Sequence, residues 1–287
     1  MPVRRAAAAD IPVMAAVLAA SFGPDRLFQV MFPFQQQHPE DFERALRESL
    51  WLSWYNYRKV LMVSYEVESD GVETVSQQDG YADDERQALL PSPRPTGKST
   101  VRGPGHTITG IAEWERAGEG SFRVHRLWGR WDPRLLIKPI LSTYYRLRRL
   151  ILFPNKAAVR PTAENPRPLT YWALGALLLP FSTQFMDAPH RLTHWSLEIL
   201  AVHPTFQGRG YGRELVEYGL EHLARRDPVT GADLPACVMA AAGKEEFYRK
   251  CGFKELVGYV SEAEDGKGGE NPLRRNGVGG GAVLWTR

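Results

Sequence analysis

One short stretch of the chain combines three glycines with two arginines, a composition that suits the binding of a phosphate group. The glycines carry no Cβ, so the backbone can adopt positive φ and approach phosphate oxygens closely. A helix is predicted to begin within the stretch, and its first N–H groups and its dipole also favour an anion. The residues of this predicted phosphate loop are Gln207, Gly208, Arg209, Gly210, Tyr211, Gly212 and Arg213.

Two common phosphate-binding motifs do not fit the phosphate loop. A nucleoside-triphosphate loop needs the pattern G-x-x-x-x-G-K-[ST], and no such Lys-Ser or Lys-Thr pair follows these glycines. A dinucleotide-binding fold needs G-x-G-x-x-G, but Arg213 stands where the third glycine should be. The spacing therefore excludes both motifs.

A family resemblance fits the loop better. The pattern Q-G-x-G-x-G after L-x-V-x-P resembles the pyrophosphate-binding motif of the GNAT superfamily of acyl-CoA-dependent N-acyltransferases. Farther along, Tyr248 to Phe253 is similar to the superfamily's Y-x-x-x-G-F ending, with one helix and one strand between the two motifs. The resemblance covers 195–253, with weaker agreement of element order over 1–116. The lengths of two long inserted segments resemble those of fungal members.

The resemblance implies a fold and a reaction. The fold would be α/β, with a mixed, mostly antiparallel central sheet flanked by helices and splayed between two parallel central strands. Acetyl-CoA would bind across this splay as the acyl donor, and its pantetheine arm would pair with Leu200, Ala201 and Val202. The N–H of Val202 would polarise the thioester carbonyl while the acetyl group passes directly to an amine acceptor in a ternary complex.

Glu198 and Tyr248 are the predicted catalytic residues. An amine must lose a proton before it attacks a thioester, and Glu198 is a carboxylate on the otherwise apolar strand W-S-L-E-I-L-A-V, where burial is costly. Strand alternation predicts that Glu198 shares a face with Ser196 and Leu200. His194 and a water molecule are left open as alternative bases, since an imidazole has a suitable pKa. The resemblance assigns Tyr248 the role of general acid toward the leaving thiolate.

Bulk composition limits the other function classes. The net charge is only +3, from 36 basic and 33 acidic residues, which does not favour a nucleic-acid partner. The two cysteines, Cys237 and Cys251, are too few for a disulfide framework and indicate a reducing compartment. No signal peptide and no apolar run long enough to cross a bilayer is evident. We therefore expect an intracellular protein, cytoplasmic with nuclear entry left open, that needs no metal.

The chain is predicted to form one domain over 1–287 with two inserted segments. Ser, Gln, Asp, Gly and Pro dominate 68–105, which predicts a disordered loop. The segment 122–190 is predicted to be a helical insertion that forms part of an acceptor pocket. The predicted elements are strands Pro2 to Ala6, Lys59 to Val67, Thr107 to Arg116, Trp195 to Val202, Ala236 to Ala242 and Ala282 to Thr286, and helices after an Asp10 N-cap, Pro39 to Tyr57, Tyr211 to Arg226 and Lys244 to Cys251.

Two other functions are left open. The chain could bind CoA with little or no catalysis if it lacks a working base. Alternatively, the basic amphipathic stretch 134–153 could bind a membrane surface or a protein partner. The identity of the amine acceptor, the acyl chain length and the oligomeric state do not follow from the sequence.

Overall fold

The structure, a computed structural model, describes residues 2–67, 102–103, 106–121, 124, 133–163 and 165–287. Almost all of the predicted disordered loop 68–105 lies outside the described residues. The strands are β1 Val3–Arg5, β2 Lys59–Val67, β3 Arg102–Gly103, β4 His106–Ala117, β5 His194–Val202, β6 Ala236–Ala241, β7 Glu255–Tyr259 and β8 Gly280–Trp285. The α-helices are α1 Ile11–Phe22, α2 Arg26–Met31, α3 Pro39–Trp54, α4 Arg134–Leu147, α5 Leu174–Ser182, α6 Tyr211–Gly219, α7 Glu245–Lys250 and α8 Pro272–Arg275.

The strands form one mixed sheet in the order β1-β2-β4-β5-β6-β8-β7, and β3 pairs with β4. The pair β5–β6 is parallel, and the other described pairs are antiparallel. Helices flank the sheet: α1 contacts β4 and β5, and α6 contacts β2, β4 and β5. The predicted α/β fold with a mostly antiparallel sheet is therefore confirmed.

The two parallel strands separate at the centre of the sheet. Their pairing runs from Trp195 opposite Ala236 to Leu197 opposite Val238 and then stops. Both strands continue beyond this point, β5 as far as Val202 and β6 as far as Ala241. The gap between them is the predicted splay.

A β-bulge interrupts β5 at Glu198. In the register with β4, Ile199 lies opposite Glu113 and Leu197 lies opposite Trp114, so Glu198 is the extra residue. The bulge shifts the alternation of side chains beyond it. Leu200 packs in the cluster on the α6 face, whereas Ile199 packs against the α1 face. The prediction that Glu198 and Leu200 share a face is therefore wrong.

Apolar side chains cover both faces of the sheet. On one face α1, α2 and α3 contribute residues such as Ile11, Met31 and Leu46. On the other face α6 and α7 pack over Trp114 and Trp195. Burial of each large apolar side chain contributes roughly 1.5–3 kcal/mol, so these two clusters fix the strands to their helices.

Several predicted elements differ from the structure in detail. Asp10 precedes α1 but does not cap it, because its carboxylate accepts hydrogen bonds from the N–H of Ala7 and from Arg4. The long helix predicted after the phosphate loop is α6 followed by a π-helical stretch, Leu220–Ala224. Strand β7 was not expected from the sequence. The insertion 122–190, where described, contains α4 and α5 as well as a π-helical stretch after α4, Arg148–Leu152.

Helix α6 lies against β4 through a glycine. A Cβ built on Gly219 would come within 2.3 Å of the Trp114 ring. That ring is fully buried, so it cannot turn aside. Gly219 therefore sets how closely α6 approaches the sheet.

We expect Gly219→Ala to lower the free energy of unfolding by about 1–3 kcal/mol, because overpacking against Trp114 outweighs the better helix propensity of alanine. The measurement is urea unfolding of both proteins. Gly175→Ala in α5 is the matched control, since no atom lies within 4 Å of its added Cβ. We expect it to be neutral or stabilising by up to ~1 kcal/mol. Equal effects of the two changes would contradict the packing account.

Candidate active site

The phosphate loop connects the end of β5 to the start of α6. A short 3-10 turn, Pro204–Phe206, follows β5, and α6 begins at Tyr211. Gly208 and Gly210 have φ of +77° and +94°, a conformation that other residues rarely adopt. These two glycines turn the chain so that the helix N-terminus faces the end of β5.

A row of backbone donors surrounds this turn. Among the described residues, the N–H groups of 208–213 have no hydrogen-bond acceptor. The first bond of the helix runs from the N–H of Glu214 to the carbonyl of Gly210, at 3.1 Å. Consecutive N–H donors at a helix N-terminus can bind a phosphate group or a pyrophosphate.

The side chains of the loop have separate tasks. Gln207 donates to the carbonyl of Val202 at 3.0 Å, so it braces the turn. Arg209 lies 3.6 Å from Glu66 and over the ring of Phe206. Tyr211 is buried and its hydroxyl donates to Glu66, where burial raises its pKa to about 12. The backbone N–H groups of the loop and the exposed side chain of Arg213 are thus free to contact a ligand. Tyr211 can contact a ligand only through its backbone N–H.

The end of β5 presents polar backbone groups to the splay. The N–H of His203 donates to the carbonyl of Thr109 in β4. Because N–H groups alternate in direction along a strand, those of Leu200 and Val202 point away from β4, toward the gap. The N–H of Ala201 points toward β4, and the Ala201 side chain is buried. A ligand in the splay can therefore pair with Leu200 and Val202 but not with Ala201.

Helix α7 meets the phosphate loop. A Cβ built on Gly212 would lie 3.5 Å from both the Phe247 ring and Cγ2 of Val202. The next residue, Tyr248, packs edge-on against the rings of Phe247 and Phe253. Its hydroxyl has no hydrogen-bond partner among the described residues, and burial raises its pKa. The two sequence motifs thus lie together at the end of β5.

Glu198 reaches solvent from the bulge of β5. Although its side chain is exposed, the surrounding protein displaces part of the water around the carboxylate and raises its pKa above the ordinary value of 4.5, against the attraction of Lys59 and a hydrogen bond with Ser196. A raised pKa suits a carboxylate that must accept a proton and pass it on.

Charged residues that the sequence patterns did not single out lie beside Glu198. Lys59 of β2 pairs with Glu113 and is 3.3 Å from Glu115. Lys138 of α4 interacts electrostatically with all three, and burial lowers its pKa. They come from distant parts of the chain. The alternate charges Glu113 and Glu115 on the predicted strand Thr107 to Arg116 are a signal that could have indicated part of this group.

His194 and the two cysteines are held within the protein. The ring of His194 is buried against Trp285, with Nδ1 2.6 Å from the carbonyl of Arg191. Burial lowers the pKa of His194. Burial raises the pKa of Cys237 to about 12 and that of Cys251 to about 11, so neither supplies a thiolate at neutral pH.

A surface hollow of about 1020 Å³ lies away from this site. Its lining includes Thr193, Pro235 and Arg287, next to the start of β5. Val202 and the phosphate loop are at the other end of that strand. We place the candidate active site at the splay instead, because the free N–H groups of 208–213 and the unpaired end of β5 meet there.

One family model matches the part of the chain that contains these elements. Residues 181–255, which contain the splay strand, the phosphate loop and α7, match the family described as acetyltransferase (GNAT) domain. This match identifies an acetyltransferase domain in that part of the chain. No curated protein matches the chain in sequence.

Solved structures of acetyltransferases resemble the chain at low identity. One, described as histone acetyltransferase HPA2 and related acetyltransferase from Corynebacterium glutamicum, is 17% identical with a TM-score of 0.48, over 99% of this chain and 94% of that one. Arylalkylamine N-acetyltransferase 2 from Aedes aegypti is 12% identical with a TM-score of 0.40, over 99% and 97%. At identities this low, the substrates named for these proteins are not assigned to this chain. These similar structures come from a bacterium and a mosquito, so they do not support the expected resemblance to fungal members.

We expect Gly210→Glu to abolish CoA binding while the protein stays folded, since it adds bulk and negative charge among the free N–H donors. Calorimetric titration with CoA is the measurement. Gly231→Glu is the matched control, because Gly231 also has positive φ, +74°, and lies in an exposed turn with space for a side chain. Equal CoA affinity in the two folded variants would remove the loop from the site.

Proposed function

We propose that this protein transfers an acetyl group from acetyl-CoA to an amine by direct attack in a ternary complex. The observation that carries the proposal is the row of free N–H groups at 208–213 beside the splay, inside the segment that matches the acetyltransferase family. Strands from both ends of the chain join one sheet, which supports a single acyltransferase domain over 1–287.

The donor would lie between β5 and β6. The loop N–H groups bind its pyrophosphate, and the exposed Arg213 adds positive charge. The strand edge at Leu200 and Val202 pairs with the pantetheine amides as a third strand would. The Val202 N–H then donates to the thioester oxygen and stabilises the negative charge that develops there.

The acceptor side supplies the base. The neutral amine attacks the thioester carbon, the C–S bond breaks and the amine loses a proton. Glu198 accepts that proton, directly or through water, because it lies on the strand that holds the thioester. His194 is less suited to be the base, since its ring is buried and its Nδ1 is hydrogen-bonded to the carbonyl oxygen of Arg191.

The leaving thiolate takes a proton from Tyr248. The raised pKa keeps this hydroxyl protonated at neutral pH, and the neighbouring Phe247 lies against the phosphate loop at Gly212. A thiolate is already a fair leaving group, so the proton adds less here than at an alkoxide.

We expect Glu198→Gln to lower kcat by about 10²–10⁴-fold in an assay of thiol release with acetyl-CoA and an amine. In the parent protein we expect kcat to fall as the pH drops through the Glu198 pKa, which lies above 4.5, and the variant should lose this limb of the pH profile. A raised native pKa means that ionised Glu198 costs stability at neutral pH, so the unfolding midpoint of Glu198→Gln should not fall.

The matched control is Glu221→Gln, which removes an exposed carboxylate paired with Arg225. We expect it to keep both kcat and the pH profile. Full activity of Glu198→Gln would show that Glu198 is not the base. CoA binding without turnover on any amine would favour the alternative of a CoA-binding protein.

We expect Tyr248→Phe to lower kcat by about 10²-fold, the low end for general acid catalysis, and to leave CoA affinity and stability nearly unchanged. The ring remains to pack against Phe253, so only the proton donor is lost. Tyr218→Phe on α6, whose ring stacks on His222, is the control and should keep its activity. A Tyr248→Phe variant with full kcat would be evidence that Tyr248 is only a core aromatic.

The second alternative, membrane or partner binding through 134–153, stays a prediction. Large apolar side chains on this stretch are exposed, among them Leu136, Ile140 and Leu150. In the described parts of the chain, no helix has the length and apolar character needed to cross a bilayer.

A further inference from the structure

Charged residues from three neighbouring strands meet beside the proposed base. On β4, Glu113 and Glu115 point to the face opposite the buried Ala112 and Trp114. Glu198 joins this face from β5, where the bulge sets it next to Glu113. We call Glu113, Glu115 and Glu198 the carboxylate cluster.

Two lysines lie near the three side chains of the carboxylate cluster. Lys59 contacts Glu113 and lies 3.3 Å from Glu115. Lys138 also faces the cluster, but burial lowers its pKa and weakens its hold on a proton. Among the described residues, two ammonium groups, those of Lys59 and Lys138, thus face three carboxylates, and Arg58 interacts electrostatically with Lys138. The ammonium groups are fewer than the carboxylates, so the site can hold a further cation.

One oxygen of Glu113 calls for a further donor. The Glu113 side chain is 3% exposed, and Lys59 bonds to Oε1. Its Oε2 is buried without a hydrogen-bond partner among the described residues. A buried carboxylate oxygen left without a donor is destabilising, and a charged N–H donor satisfies it best.

The surroundings also suit an alkyl chain. Tyr171 lies close enough to interact with the charges of Glu113 and Lys59. Its ring packs with those of Phe28 and Trp172, neither of which is fully buried. Methylene groups can therefore lie along apolar surface while their charged end meets the carboxylates.

We propose that the acceptor is a short aliphatic diamine, whose reacting amino group lies beside Glu198 while Glu113 and Glu115 bind its second ammonium group. This inference rests on the proposed function. Residues opposite each other on adjacent strands are about 5 Å apart, and residues two apart on one strand are about 7 Å apart. A separation of roughly 5–7 Å between the two nitrogens corresponds to three or four carbons.

The test compares 1,4-diaminobutane with butylamine and 4-aminobutanol as acceptors, using the full chain, acetyl-CoA and thiol release. We expect kcat/KM for the diamine to exceed that for either monoamine by roughly 10- to 100-fold, the effect of a charge-assisted hydrogen bond. Glu115→Gln should raise KM for the diamine and leave KM for butylamine unchanged. Glu113→Gln should do the same if it folds. Glu221→Gln is the control, and its preference for the diamine over butylamine should be unchanged.

Equal kcat/KM for the diamine and the monoamines would overturn this inference and leave the proposed function intact. A direct binding measurement covers the case of no turnover. Calorimetric titration of the CoA-bound protein should show tighter binding of 1,4-diaminobutane than of butylamine, with the difference lost in Glu115→Gln. Equal binding of the two amines would overturn the inference, whatever the activity. Absence of turnover on every amine would count against the proposed function instead.

Discussion

The site depends on the separation of β5 from β6 after only three paired residues. A strand in the middle of a sheet normally has partners on both sides, and an unpaired polar backbone group there is costly. At the end of β5 the carbonyl of Val202 is satisfied by Ser21 of α1, at 2.9 Å, and by Gln207. The N–H groups on the same edge remain available to a ligand. The sheet thus provides a strand edge inside the protein, protected from association with other chains.

The other end of the same strand is held firmly. Arg116 of β4 makes a bidentate, fully buried ion pair with Asp227, at 2.8 Å and 3.0 Å, and Trp195 of β5 donates to the same carboxylate at 3.2 Å. This network ties β4 and β5 to the turn after α6. Because strand positions at this end are fixed, β5 and β6 can diverge at the opposite end without loosening the sheet.

The bulge at Glu198 links the donor and acceptor sides. It places the Glu198 carboxylate on the α1 face. It also shifts the alternation of the residues beyond it, so that the N–H of Val202 points toward the splay. The single extra residue therefore directs Glu198, the proposed base, to one face of the sheet, while the N–H of Val202, the proposed donor to the thioester oxygen, points toward the splay. Beside Glu198, Lys59 pairs with Glu113, and the Glu113 side chain is almost fully buried.

The sequence by itself determined the phosphate loop, the order of β5, α6, β6 and α7, and the candidate pair Glu198 and Tyr248, because local glycine conformation, helix starts and apolar periodicity depend on neighbours in the chain. Only the tertiary structure decided that Tyr211 is buried under Glu66, that the bulge separates Leu200 from Glu198, and that Glu113 joins the site. These facts depend on strand register and on contacts between residues far apart in sequence. Alternation along one strand cannot reveal a bulge, because a bulge is defined by the partner strand.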